Sequence, residues 1–173
     1  MVTISLHDYS AEWPKTFAKE AQRIEHALTG LAIEVHHTGS TSVPSLRAKP
    51  VIDITLAVPD STDEPAYLPA LVDTGYDFLL REPDWYEHRL FKRLEPNVNL
   101  HVFTVGSSEV DRMLAFRDHL RVNTADRRLY ESTKAALAER CWPTVQDYAD
   151  AKTDVVRAIL SRAKATRPPV IDR

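Results

Sequence analysis

Val51 to Val58 reads Val-Ile-Asp-Ile-Thr-Leu-Ala-Val, and this short apolar run constrains the fold more than any other segment. A run of this kind is a strand central in a sheet, buried on both faces. Asp53 interrupts it. A carboxylate inside such a strand is costly unless it has a hydrogen-bonding partner, a cation or an opening to solvent. Side chains alternate along a strand, so Asp53 and Thr55 point to the same face.

The flanking pattern is mixed. Val2 to Leu6 alternates as an edge strand. Ser10 is placed to cap a helix with Pro14 in its first turn, and Trp13, Phe17, Ala21, Ile24 and Leu28 follow helical spacing until Gly30. Leu31 to His36 reads as a strand, and His37 to Pro50 as loop with at most a short helix. A helix is predicted over 63–73 and a strand over Tyr76 to Leu80. Trp85 to Arg93 and Val98 to Val105 form a hairpin around Glu95-Pro96-Asn97. After Gly106-Ser107-Ser108 the chain is helical over 109–121, 125–140 and 145–164, with Thr124 and Thr144 as caps. Strands first and helices last predict a mixed α/β (α+β) layout: a β-sheet flanked by helices, with a C-terminal helical segment. Residues 1–166 read as one domain and 167–173 as a tail.

Bulk properties exclude several classes. In 173 residues the net charge is -3, so there is no global nucleic-acid footprint. Cys141 is alone, which rules out an internal disulfide and a cysteine metal cluster. No stretch approaches the roughly 18 apolar residues of a membrane span, so a soluble, cytoplasmic protein is expected. The P-loop, Gly-x-Gly-x-x-Gly, His-Glu-x-x-His and Gly-x-Ser-x-Gly patterns are missing. The His residues are scattered, which predicts no structural metal. Oligomeric state is not readable.

The segment His37-Thr38-Gly39-Ser40-Thr41-Ser42-Val43-Pro44 carries the strongest chemical signal. Gly39 permits close backbone approach, and the hydroxyls and free N–H groups that follow suit either a solvated turn or a phosphate cradle. Helical cations add a second signal. At about 100° per residue, Arg117 and Arg121 fall inside the apolar arc of Val110, Met113, Leu114, Phe116 and Leu120. Lys152 likewise falls on the face of Tyr148, Val155, Val156 and Ile159. Inward cations need an anion: either a buried pair such as Arg117 with Asp53, or a bound phosphate. Arg89 and Lys92 on the hairpin could contribute, but their opposite parity keeps them from facing the same side. His101 is a candidate proton carrier or a satisfied structural residue.

Gly39-Ser40, twelve intervening residues and then Asp53 on a strand resemble the signature of the nucleotidyltransferase superfamily. Gly39-Ser40-Thr41-Ser42-Val43-Pro44 with Ala48-Lys49-Pro50-Val51-Ile52-Asp53-Ile54 is similar, more narrowly, to the GrpB family. Glu12-Trp13-Pro14, Leu90-Phe91, Asn99-Leu100-His101-Val102, Phe116-Arg117-Asp118-His119-Leu120-Arg121, Tyr148 and Lys152 extend the resemblance over nearly the whole chain. Ser45 stands where that family often has Gly. The resemblance implies a nucleotidyltransferase-like mixed sheet, but not a reaction. It departs from the superfamily in two places: Thr55 replaces the second carboxylate, and His101 stands where a third would come. One carboxylate suits at most a single Mg²⁺ brought by a nucleotide.

Two functions follow as expectations. The first is nucleotidyl or phosphoryl transfer with Mg²⁺ and a nucleotide or phosphorylated small molecule. Gly39, Ser40, Thr41 and Ser42 would cradle phosphate, Asp53 would hold metal or orient the acceptor, and His101 would move a proton. Lys49, Arg117 and Lys152 would neutralise charge, aided by Thr55, Arg89, Lys92 and Arg121. The alternative is a non-catalytic nucleotide- or phosphometabolite-binding module that has lost the metal carboxylates. A protein-interaction role with a vestigial pocket is a third, weaker option.

Overall fold

The computed structural model describes residues 1–166; the expected tail, 167–173, lies outside the described residues. Among the described residues one sheet holds five strands: β1 (Glu34–Thr38), β2 (Ile52–Val58), β3 (Asp77–Glu82), β4 (His88–Arg93) and β5 (Val98–Thr104). Their order is β1-β2-β5-β4-β3. β2 runs parallel to β5, and the other neighbours are antiparallel, so the sheet is mixed. The apolar run therefore has strands on both sides, as its composition requires. The helices are α1 (Glu12–Ala27), α2 (Leu68–Asp73), α3 (Ser108–Val122), α4 (Thr124–Ala138), α5 (Val145–Asp150) and α6 (Thr153–Thr166).

Parity divides the sheet's chemistry. Ile52, Ile54, Leu56 and Val58 share one face with Val98, Leu100 and Val102, and pack with Trp13 and Ile24 of α1, with Leu28 at its C-cap and with Leu71 of α2 in the main core. The opposite face carries Asp53 and Thr55 beside Asn99 and His101, register partners across β2 and β5. Lys92 opposes Asn99 on β4. The C-terminal helices close over this polar side, where Leu120, Tyr130 and Ile159 pack with Val43 and Leu46.

Several sequence expectations shift. Val2 and His7 make only isolated bridges, to Trp142 and Ala48, so the N-terminus adds no strand to the sheet. The helix expected over 63–73 splits into a 3₁₀ turn, Glu64–Ala66, and α2, with a proline in the first positions of each. Asn123, not Thr124, caps α4, its side chain accepting the Asp126 N–H at 2.9 Å. Thr144 caps α5 through a reciprocal box with Asp147. The long last helix breaks at Ala151-Lys152, where the Lys152 N–H turns back to the Ala149 carbonyl. Lys152 thus sits at a helix junction and not on a continuous helical face.

Candidate functional site

Gly39 has φ 67° and ψ -175°, a conformation essentially reserved for glycine. It turns the end of β1 into a 3₁₀ turn, Ser40–Ser42. The turn is tied internally: Ser42 Oγ donates to the Gly39 carbonyl at 2.5 Å, and Thr41 Oγ1 donates to the Val51 carbonyl at 3.2 Å and meets His37 Nε2 at 3.1 Å. Thr41 and Ser42 are buried with their hydroxyls spent in these bonds. Arg117 Nη1 donates to the His37 carbonyl (3.0 Å), and Arg121 donates twice to the Ser42 carbonyl (3.0 and 2.8 Å). Arg117 therefore points inward as expected, whereas Arg121 lies at the rim with 39% of its side chain exposed; both satisfy main-chain carbonyls instead of ringing a ligand. Arg117 pairs with Asp118, not Asp53.

In front of the turn lies a hollow of about 220 Å³, lined by Gly39, Ser40, Asp53 and Asn99 together with three lysines, Lys49, Lys134 and Lys152. Lys134, 2% exposed, reaches from α4 to donate to Ser40 Oγ at 3.0 Å and to the Arg47 carbonyl. Lys152 and Lys49 lie over the same Tyr148 ring, at 4.5 and 5.6 Å. Among the described residues none of the three has a carboxylate within 4 Å. Burial first, then repulsion from Lys152, lowers Lys134 to about 7. Burial and Lys49 lower Lys152 to about 8, partly offset by Asp53. Lys49 is lowered by burial, with Asp53 opposing. The Tyr148 hydroxyl, in the same wall, is buried without a hydrogen-bond partner among the described residues. Lys134 was missed in the sequence although the inward-cation argument covers it: Tyr130, Lys134 and Leu137 share a helical face at i, i+4 and i+7.

Asp53 Oδ1 accepts from Asn99 Nδ2 at 2.9 Å. Lys92 Nζ, donating to Asn99 Oδ1 (2.9 Å) and to Asn97 Oδ1, fixes the orientation of that amide. Lys92 is thus on the site's face and acts through Asn99. Burial works to raise the Asp53 carboxyl, but His101, Asn99 and Lys49 together hold it below its ordinary value. His101 Nε2 lies 3.7 Å from Asp53 Oδ1, and its Nδ1 meets His88 Nε2 at 3.0 Å. His88 Nδ1 in turn meets Glu82 Oε2 at 2.7 Å. Burial, reinforced by His101 and Arg89 against the pull of Glu82, lowers His88 to about 4.

Ser42, Lys92, His101, Arg117 and Arg121 do not line the hollow, and Thr55 and Arg89 are turned away from it altogether. Thr55 is fully buried, its hydroxyl 2.9 Å from Thr38 Oγ1 and directed at Met113 Sδ beneath α3. Arg89 has the opposite parity to Lys92 and is sealed on the other face, paired with Glu64 (2.7 Å) and Glu87 (3.1 Å). Larger hollows exist, of about 580 Å³ beside α3 and α6 and about 450 Å³ near Trp85 and Arg157. The first lacks the turn and the acid. The second adjoins the site, sharing Tyr130 and Lys152 with it.

A family model described as "GrpB protein" matches residues 3–162. The chain belongs to the GrpB family. It is 53% identical to the UPF0157 protein BH1888 of Halalkalibacterium halodurans, over 95% of this chain and 84% of that one. It is 48% identical to the UPF0157 protein SCO7215 of Streptomyces coelicolor, over 95% and 86%. The crystal structure of conserved protein GrpB from Enterococcus faecalis superposes with a TM-score of 0.81 at 28% identity, covering 92% and 96% of the two chains. Ser45 has φ 66°, a left-handed conformation that serine adopts under strain.

The donor set of this GrpB chain does not match a two-Mg²⁺ cage. Mg²⁺ demands near-octahedral oxygen coordination. Asp53 is the lone carboxylate at the hollow, Thr55 is withdrawn, and the neighbouring donor, His101, offers nitrogen. No group of three His, Cys, Asp or Glu converges among the described residues. No helix of the described residues is long and apolar enough to cross a membrane.

Proposed function

We propose that the hollow binds a phosphate-bearing small molecule, a nucleotide or phosphorylated metabolite. The observation that carries this reading is the set of three partly or fully buried lysines sharing one small cavity with a single carboxylate, Asp53, that among the described residues lies within 4 Å of none of them. Burying such charge is costly unless an anion completes it. Ser40 Oγ and the Tyr148 hydroxyl add polar contacts at the same wall. At about 220 Å³ the hollow is smaller than the roughly 300–1,000 Å³ typical of sites that enclose a whole ligand. It suits phosphate groups, with the remainder of the ligand extending past Tyr130 and Lys152 into the adjoining hollow.

Thermal melting and calorimetry with inorganic phosphate, pyrophosphate and the four nucleoside triphosphates, all in EDTA, test this directly. Stabilisation that weakens by about tenfold or more in affinity in Lys134→Gln and Lys152→Gln is the expected result. If no phosphate compound stabilises the protein, the reading is wrong.

Group transfer is a second reading, supported by an ionised Asp53 beside His101 and by lysines placed to offset developing negative charge. Incubation with labelled nucleoside triphosphates, Mg²⁺ or Mn²⁺ and cell extract should then give a labelled product that Asp53→Asn abolishes. If wild type gives none while binding persists, the non-catalytic module is the better description.

A further inference from the structure

Lys134 is buried, whereas Lys49 and Lys152 in the same hollow are partly open. Its Nζ meets two neutral oxygens, Ser40 Oγ at 3.0 Å and the Arg47 carbonyl, and lies 4.9 Å from the centre of the Tyr130 ring. Glu131 draws on it through space, but that carboxylate accepts from the Arg47 N–H at 3.4 Å. Burial disfavours the ammonium most and Lys152 adds to that; Glu131 offsets only part, and Arg47 and Lys49 side with Lys152, so the group falls to about 7. A free amine fits these contacts. It can donate to the Arg47 carbonyl and accept from the Ser40 hydroxyl, and it needs no counter-ion.

The other two lysines are set differently. Both stand over the Tyr148 ring, and Asp53 favours the charge of each. Lys152, lowered only to about 8, stays mostly charged at neutral pH and can hold a phosphate, while Lys134 in the same hollow carries a lone pair. A desolvated amine next to a second cation is the arrangement that lets a lysine attack a carbonyl carbon. The hollow, about 220 Å³, has room for a phosphate and a short carbon chain.

We infer that Lys134 captures the carbonyl carbon of a small phosphorylated aldehyde or ketone as an imine, with Lys49 and Lys152 on its phosphate, a narrowing of the phosphate reading on which it rests. The Nζ lone pair forms the new N–C bond, and the carbonyl oxygen takes up a proton to give the carbinolamine. Loss of water then leaves the C=N bond. Both amine hydrogens depart with that oxygen, so no oxidant or reductant takes part. Ser40 Oγ, bonded to Nζ and facing the Tyr130 hydroxyl, is placed to pass these protons. The Tyr148 hydroxyl, without a partner among the described residues, can donate to the phosphate.

Reductive trapping tests this. The full chain is incubated at about pH 7.5 with glycolaldehyde phosphate or with plain glycolaldehyde, each with cyanoborohydride, and the labelled lysines are mapped by peptide mass spectrometry. The phosphorylated aldehyde should label Lys134 about tenfold or more faster than any other lysine, and inorganic phosphate should slow that labelling. Plain glycolaldehyde should show no such preference. Lys134→Arg should remove the fast label and still bind inorganic phosphate in EDTA, with its melting temperature confirming the fold. The mapping on the wild-type chain decides the matter even if that variant unfolds. Lys134 left unlabelled, or labelled no faster than the surface lysines, would overturn the inference; phosphate binding in EDTA that persists beside that result leaves the phosphate reading standing. Equal labelling of Lys134 by the two aldehydes, unaffected by phosphate, would overturn the ligand class and the phosphate reading with it.

Discussion

A Cβ built on Gly39 would stand 2.3 Å from Asp53 Oδ2. Gly39 and the acid, fourteen residues apart in sequence, are thus in direct steric contact, and the contact leaves no room for a side chain. Gly39→Ala would force Asp53 aside and strain a backbone at φ 67°. The expected cost is about 2–4 kcal/mol, combining backbone strain and overpacking. Chemical denaturation measures it, and phosphate affinity should fall in parallel as Asp53 moves. A Gly39→Ala protein with unchanged stability and affinity would show that the close approach is dispensable.

The parts of this site that could be read in the sequence were those that depend on local geometry. Alternation along Val51–Val58 placed Asp53 and Thr55 on one face, and the opposite parity of Arg89 and Lys92 predicted that the sheet would separate them. The side of the helix from which Arg117 and Arg121 reach was legible because helical period determines it, although Arg121 stays exposed at the rim. Their partners were not, because the carbonyls of His37 and Ser42 come from a turn about 80 residues away in sequence. Thr55 shows the same limit: its face was readable, but whether α3 would cover it depends on the placement of Met113. The break at Lys152 escaped because Tyr148, Val155, Val156 and Ile159 keep helical spacing across it.

Arg89 offers a prediction that leaves the hollow untouched. Glu64 holds both Arg81 and Arg89, and Arg81 first, then Arg89, lower its carboxyl to about 2. A carboxylate depressed in the fold stabilises fully above its unfolded value of 4.5, and the contribution fades as pH falls toward 2. Glu64→Gln leaves Arg89 buried with only Glu87 and should cost about 3 kcal/mol at pH 7. The variant should also lose the acid-dependent part of its unfolding free energy between about pH 4.5 and 2, followed by denaturant titration at each pH. Phosphate affinity should stay within about twofold of wild type, since Arg89 lies on the other sheet face.

Ser45 holds φ 66° on an exposed turn, and among the described residues its side chain has no hydrogen bond that rewards it. The left-handed conformation costs a non-glycine residue about 1–2 kcal/mol, and glycine forfeits part of that through its freer unfolded chain. Ser45→Gly should therefore gain about 0.5–1 kcal/mol, read as a shift of the denaturation midpoint at constant slope. A loss of stability would mean that the serine hydroxyl makes an unrecognised contact.

The lysines give the stability of the ligand-free protein a sign opposite to that of an ordinary basic group. Lys134 and Lys152 are lowered to about 7 and about 8, from 10.5 in the unfolded chain. Between those values the unfolded state binds more protons than the folded state, so stability should rise with pH from about 7 toward 10. Each group can contribute a slope of up to about 1.4 kcal/mol per pH unit. Phosphate binding should move the other way. It needs the charged ammonium groups, so affinity should be greatest below pH 7 and fall through pH 7–9 as Lys134 and then Lys152 lose their protons. Bound phosphate should in turn raise both groups, and binding near pH 8 should therefore take up protons, which calorimetry in buffers of different ionisation enthalpy detects. Lys134→Met should flatten both trends. A wild-type protein whose stability and phosphate affinity stay level from pH 6.5 to 9.5 would mean that these ammonium groups are solvated as at an ordinary surface, and the case for an anion in the hollow would fall with them.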